Sequence, residues 1–419
     1  MARLEKIALR MYRLSEPEAK KRWDKASSES NGVLPQIFWK GGSSWDEVNV
    51  WAFSKRQAGI KTERLMSLMK GLHRYAIYLE ESQLDWRHFP RRRDEQVLRR
   101  FRGYLIGTIH EGVYTSSTVR ATMNSVVDFY RFALTHNLVG VQGPLWADKR
   151  RVVSLVDTTG FQRSMVRHGT DLAIPNAKRI GMSLEDGLMP LSESDANELM
   201  AFSADNCTHE LHLMLSIGLL TGARVGTIVT LTTASLGRAV QHPRIEHLLL
   251  LAVGPGTGIA TKFDVQGDLE IPLALYEDLR RYQFSARRLL REAKAAPQDK
   301  QRLFLTKNGL PYTVQTVDAL VSEMRSSARG RTIGWMKRFK FHQTRATFGT
   351  SRVKILLDLG LSPSEAVSLV RDSMHHLNEK TTFAYITFVK NCAAKEKLAT
   401  EFYEKMMGTR SRDWESIRV

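Results

Sequence analysis

Between Thr62 and Asn137 the chain returns to an apolar residue every three or four positions, a period that admits little besides helix. In TERLMSLMKGLHRYAIYLEES, the residues Leu65, Met66, Met69, Leu72, Ile77 and Leu79 share one broad face among basic neighbours. DEQVLRRFRGYLIGTIHEG opens on acidic residues and stops at a glycine, as helix ends prefer. SSTVRATMNSVVDFYRFALTHN repeats the pattern through Val119, Met123, Val126, Val127, Tyr130 and Leu134. Residues 45–140 are therefore expected to form a helical module. Residues 1–44 read as an N-terminal extension in which Leu4, Ile7, Ala8, Met11 and Leu14 predict one helix before the break KGGSS.

From residue 141 to 187 the periodicity fades, and this segment reads as a partly ordered linker. A second domain, 188–408, opens at MPLSESDANELMAF, where Ser192 and Asp195 have the spacing of a helix N-cap. LHLMLSIGLLTGAR then reads as a buried helix ending near Gly222. IEHLLLLAVG, GIATKFDV and GDLEIPL are short, β-like and separated by glycine and aspartate turns, so they predict a small antiparallel sheet. Beyond Ala274 everything but RLFLT reads as helix. The expected fold class is mainly α with a small antiparallel β-sheet, closed by a C-terminal tail at 409–419. Just before that tail, Leu398, Phe402 and Met406 form an apolar stripe suited to packing on its own domain or on a neighbouring copy.

A chain of 419 residues is too long for one ordinary core, which agrees with two modules. With 62 Lys and Arg against 44 Asp and Glu, its net charge is +18. An excess of that size attracts a polyanion, and nucleic acid is the commonest. Two windows carry much of it: residues 51–100 hold 12 basic against 6 acidic residues, and 301–350 hold 9 against 2. Only Cys207 and Cys392 are present, too few for a disulfide framework or a four-thiolate zinc site, so a reducing cytoplasmic setting is expected. No run of 18 apolar residues marks a membrane span, and the N-terminus lacks the apolar core of a signal peptide.

GPGTGIATK is rich in glycine but is no phosphate loop, because Lys262 precedes Phe263, and it lies between strands rather than before a helix. His375 and His376 are adjacent, so their rings diverge by ~100° on a helix and make a poor metal pair. Neither metal nor cofactor is expected. TGARVGT sets Arg224 just past an apolar helix, and FHQTRATFGT sets His342 and Arg345 on one helical face. Singly, each arginine reads as a surface or ion-pairing residue. Together, two arginines, a lysine on a turn, histidines and Tyr385 suit a phosphodiester. Guanidinium forks hold non-bridging oxygens, lysine and histidine move protons, and a hydroxyl attacks.

These segments resemble, in order and spacing, the tyrosine site-specific recombinases of the phage integrase family. LLTGAR matches the first arginine motif at Arg224, TK followed by GDLEIPL the lysine hairpin at Lys262, and FHQTRATF the His-x-x-Arg box at His342 and Arg345. MHHLNEKTTFAYI matches the second histidine box and nucleophile, His376 standing nine residues before Tyr385. The resemblance covers about residues 188–408, and the preceding helices stand where the family carries its DNA core-binding domain. It implies a catalytic α+β domain and a metal-free, ATP-free reaction on double-stranded DNA recombination sites. Tyr385 would attack the scissile phosphate to give a 3′-phosphotyrosine link, with Arg224 and Arg345 neutralising the transition state. Lys262 would protonate the leaving 5′-oxygen, His342 would assist the tyrosine's proton, and His376 would donate to a non-bridging oxygen. Family members act as tetramers, a dimer on each site, and accessory DNA-bending proteins are a further class of partner.

Two positions depart from the family pattern. Thr227 occupies a place usually acidic, and His375 replaces the glycine before the second histidine. Spacing selects His376 for the phosphate and leaves His375 a structural part. Integration, excision, transposition and resolution all remain open, with the length and N-terminal segment favouring a mobile-element enzyme. A type IB topoisomerase-like enzyme and a DNA-binding relative without catalysis are the rival readings. Tyr276, Tyr282 and Tyr403 lack the required distance from a histidine box.

Overall fold

The helical periods of residues 45–140 become α1 (Asp46–Gln57), α2 (Thr62–Glu81), α3 (Val97–His110) and α4 (Ser116–Thr135) in a computed structural model of the chain. The structure describes residues 1–9, 12–15, 22–25, 32–140, 143–156, 162–175, 184, 187–328, 333–377 and 379–407. It divides into two compact units, Met1–Arg179 and Ile180–Val419.

In the first unit α2 buries Leu65, Met69, Leu72 and Leu79 as the spacing predicts, together with Tyr75 and Tyr78. Met66 and Ile77, at the edges of the predicted stripe, are half-buried. The core is rich in aromatics: Trp45, Trp51, Tyr75, Phe101, Phe129 and Tyr130 are all enclosed. The hydroxyls of Tyr75 and Tyr130 lie 2.7 Å apart, and Tyr130 donates to the Trp86 carbonyl, so both polar tips are satisfied inside.

The helix predicted in the N-terminal extension is not formed. Arg3–Leu9 is strand β1, followed by β2 (Tyr12–Ser15), β3 (Arg22–Lys25) and β4 (Gly32–Phe38). β1 pairs antiparallel with β4, Arg3 opposite Phe38 and Leu9 opposite Gly32, and β2 pairs with β3. Leu34 and Ile37 of β4 bury themselves in the helical core. A partner strand distant in sequence thus overrides the local helical spacing. His73 also donates to the Ala2 carbonyl (2.8 Å), tying the extension to α2.

Within the segment read as a linker, β5 (Asp148–Val156) and β6 (Gln162–Thr170) form an antiparallel hairpin. Its base belongs to the first unit. Leu145, Leu172 and Ile174 are buried in that core, and Asp171 pairs with Arg99 of α3 at 2.5 Å.

The second unit begins with α5 (Glu193–Asn206), whose N-cap Ser192 accepts from the Asp195 amide, and α6 (His209–Thr221), buried nearly all round. Short helices α7 (Val225–Ile228) and α8 (Thr233–Gly237) lead to a three-stranded antiparallel sheet in the order β7-β8-β9. These strands are Val240–His242, Ile245–Val253 and Gly267–Pro272. GIATKFDV, predicted as a strand, is a turn: Lys262–Asp264 make one 3-10 turn in which Phe263 and Asp264 have positive φ. The third strand is Val240–His242 instead. Then follow α9 (Leu273–Gln283), α10 (Ala286–Lys294), α11 (Val314–Ala328), α12 (Gln343–Asp358), α13 (Pro363–Ser373) and α14 (Glu379–Met407).

Two apolar cores result. One gathers α6, the sheet and α9, and the other gathers α12, α13 and α14 around Phe348, Met374 and Tyr385. Glu210 in the first turn of α6 has no exposed surface and is held by Arg287 (2.8 and 3.1 Å), Arg291 (2.8 Å) and the Tyr282 hydroxyl (3.1 Å). Leu398 is exposed, whereas the side chains of Phe402, Tyr403 and Met406 and the tail at 409–419 lie outside the described residues. Among the described residues no helix is long and apolar enough to cross a membrane.

Candidate active site

Arg224 owes its place to the end of the buried helix. α6 stops because Gly222 turns left-handed, at φ 66°, and two residues later Arg224 becomes the N-cap of α7. Arg345 comes from the first turns of α12 and is itself buried. Its guanidinium donates to the carbonyls of Gly222 and Met374, both at 2.5 Å, and so clasps the end of α6 to the end of α13. Lys262 stands exposed on the turn between β8 and β9, its ammonium 5.3 Å from the centre of the Phe263 ring.

These three cations line one pocket, together with Thr227, Thr261, Ser373 and His375. His342, half-buried, is the N-cap of α12, three residues before Arg345. His376 and Tyr385 are not among the lining residues. Tyr385 is buried on α14 with its ring close against Gly349, and the His376 ring lies 5.9 Å from it, tilted by 31°. His376 Nδ1 is 2.9 Å from the Thr382 hydroxyl. Of the six residues that the resemblance points to, three meet in the pocket, His342 stands three residues before Arg345, and His376 and Tyr385 form a buried pair.

His375 is the residue that spacing set aside. Its backbone is left-handed, φ 49°, where the chain leaves α13. Its Nε2 lies 3.1 Å from the Asp268 carbonyl, which can only accept, so Nε2 carries the proton. Burial pulls this imidazole below its ordinary pKa. The Asp268 carbonyl opposes the shift, while Arg345 and Arg224 reinforce it. His375 stands where the resemblance expects a glycine.

A second clasp stands close by. Arg352 of α12 reaches Glu270 of β9 and the Ser373 hydroxyl at the end of α13, each at 2.6 Å. Helix, strand and pocket rim are thereby joined through one guanidinium.

No protein-family model matches the chain, and no curated protein matches its sequence. Solved structures do match, and the fold is that of the tyrosine site-specific recombinases. The chain is similar to the Tn1549 transposon integrase in complex with transposon right end DNA, at TM-score 0.50 and 18% identity over 84% of this chain and 99% of that one. The same integrase with a circular intermediate DNA gives 0.51 and 17% over the same shares. The XerH site-specific recombinase bound to a palindromic difH substrate, in a post-cleavage complex, gives 0.50 and 12% over 85% of both chains. At these identities the likeness is one of fold.

Proposed function

We propose that the protein is a site-specific DNA recombinase that cuts and rejoins strands through a 3′-phosphotyrosine intermediate. The observation that carries this reading is the convergence of Arg224, Lys262 and Arg345, from three separated segments, on one pocket of a recombinase fold. Three cations in one pocket suit the charge of a phosphorane-like transition state, and each well-placed donor to such a centre is worth ~3–4 kcal/mol. The net charge of +18 favours a DNA partner, and the Tn1549 integrase and XerH are both seen with DNA.

In this reading Arg224 and Arg345 hold the non-bridging oxygens, and Tyr385 attacks phosphorus. The 3′-phosphate passes to the tyrosine oxygen while the 5′-oxygen leaves with a proton from Lys262. His342 assists removal of the tyrosine proton, and His376, whose ring packs beside Tyr385, donates to a non-bridging oxygen. The covalent link conserves the phosphodiester energy, so neither metal nor nucleotide is required. Residues 45–140 serve as the core-binding domain and 188–408 as the catalytic domain. Four copies act on two duplex sites, with accessory DNA-bending proteins as further partners. A mobile-element task, integration or excision, fits the transposon integrase among the similar structures.

The test is a nicked suicide duplex taken from the DNA flanking the gene. Wild type forms a covalent adduct, and Tyr385→Phe binds the duplex without forming one. An adduct that persists in Tyr385→Phe, or is lost in Tyr403→Phe instead, overturns the assignment.

A further inference from the structure

His375 holds a conformation that its side chain disfavours. A left-handed φ of 49° places a β-carbon against the following carbonyl, a cost of ~1–2 kcal/mol that glycine would avoid. The residue is only half-buried, so packing returns little of that cost. The neighbouring strand is nevertheless shaped to receive the ring. A β-carbon on Gly267 would lie 2.5 Å from His375 Cδ2 and 2.6 Å from Nε2, so only glycine at that position leaves room for the imidazole. The next residue, Asp268, supplies the carbonyl that fixes the ring's orientation and tautomer. A strained backbone, a seat cut for the ring and an orienting hydrogen bond all hold an imidazole at the wall of the Arg224–Lys262–Arg345 pocket.

We infer that His375 is a further phosphate-contacting residue of this site, donating from its imidazolium form to a non-bridging oxygen of the scissile phosphate. The inference rests on the recombinase reading above. With Nε2–H given to Asp268, Nδ1 is the nitrogen left for a ligand, and it donates only when protonated. The charged groups around the ring are Arg224, Arg345 and Lys262 of the pocket, with Asp268 on β9. Burial first, and then the two arginines, disfavour the imidazolium. A bound phosphodiester reverses that balance by bringing negative charge to the same wall, so binding draws a proton onto His375.

Single-turnover cleavage of the suicide duplex between about pH 5.5 and 8.5, with parallel thermal unfolding, tests this for wild type, His375→Gly and His375→Asn. His375→Gly should unfold no lower than wild type, because the backbone strain is relieved. It should cleave about a hundredfold more slowly and lose the inflection that His375 gives the pH profile. His375→Asn tolerates the same backbone and offers an amide donor at every pH, so it should recover part of the rate with a flatter profile. Wild-type cleavage with an unchanged profile in His375→Gly overturns the role of His375 and leaves the recombinase reading intact. Absence of any adduct from wild type overturns both. A rate loss that tracks loss of folded protein in both variants makes His375 a scaffold residue and also overturns the inference.

Discussion

Gly222 joins the fold to the site, and its replacement by alanine has a calculable effect. Two penalties add in Gly222→Ala. The new β-carbon must adopt a left-handed backbone at φ 66°, at ~1 kcal/mol. It also overlaps the ring of Phe348, which can yield only by repacking the α12–α14 core, at ~1–3 kcal/mol. The stiffer unfolded chain returns about 0.4–1 kcal/mol, leaving a net loss of ~1–3.6 kcal/mol. For a unit of this size that lowers the unfolding midpoint by roughly 2–14 °C. The Gly222 carbonyl also accepts from Arg345, so both arginines shift and cleavage should fall further than stability alone dictates. Gly226→Ala, four residues on, is the internal control: it has no positive φ, and its β-carbon would meet nothing within 4 Å. It should stay within about 0.5 kcal/mol of wild type. Thermal and urea unfolding of the full chain measures both. A Gly222→Ala protein as stable as wild type, or a Gly226→Ala protein equally damaged, would mean that neither the left-handed backbone nor the Phe348 ring restricts position 222.

Glu210→Gln should destabilise by ~3–5 kcal/mol, because it leaves Arg291 and Arg287 without the buried carboxylate they share. Burial alone would raise the pKa of Glu210, but the hydrogen bonds of Arg287 and the charge of Arg291 outweigh it and hold the carboxyl below its ordinary range. A depressed folded pKa means that its contribution is complete above about pH 4.3, the unfolded value, and is lost as pH falls through the lower folded value. Urea midpoints against pH should therefore fall less steeply in the acid range for Glu210→Gln than for wild type. Arg352→Ala removes the clasp between Glu270 and Ser373. Its half-exposed ion pair is worth under about 1 kcal/mol of stability, yet single-turnover cleavage should drop about tenfold or more with DNA affinity unchanged.

What could be read from residues alone was whatever a short stretch determines by itself. The apolar run 211–220 ended by Gly222 announced a buried helix with an arginine at its exit, and the structure has that helix and that turn. Ser192 announced its own cap. Where a distant partner decides, local reading went astray. Leu4, Ile7 and Ala8 have helical spacing, yet Gly32–Phe38 pairs with them as a strand. Val240–His242 is three residues long and mostly exposed, with no alternation to betray a strand, while GIATKFDV has the composition of one and bends through three positive φ angles, at Gly258, Phe263 and Asp264. The Glu210 cluster joins residues more than seventy positions apart, which no motif announces. The histidine pair shows the limit within the site. Spacing from Tyr385 singles out His376, but the backbone turn after α13 and the missing β-carbon of Gly267 set His375 at the pocket. Arg224, Lys262 and Arg345 were legible as types in order, and their convergence on one pocket required the fold.

If a tyrosine hydroxyl of this chain takes the scissile phosphate, mapping the covalent bond identifies it. Wild-type protein trapped on a suicide duplex, digested with protease and nuclease, yields a nucleotide-bearing peptide for mass spectrometry. One modified tryptic peptide is expected, Thr381–Lys390, with a 3′-linked nucleotide on Tyr385. A nucleotide attached through its 5′ end, or carried on any other residue, would contradict it.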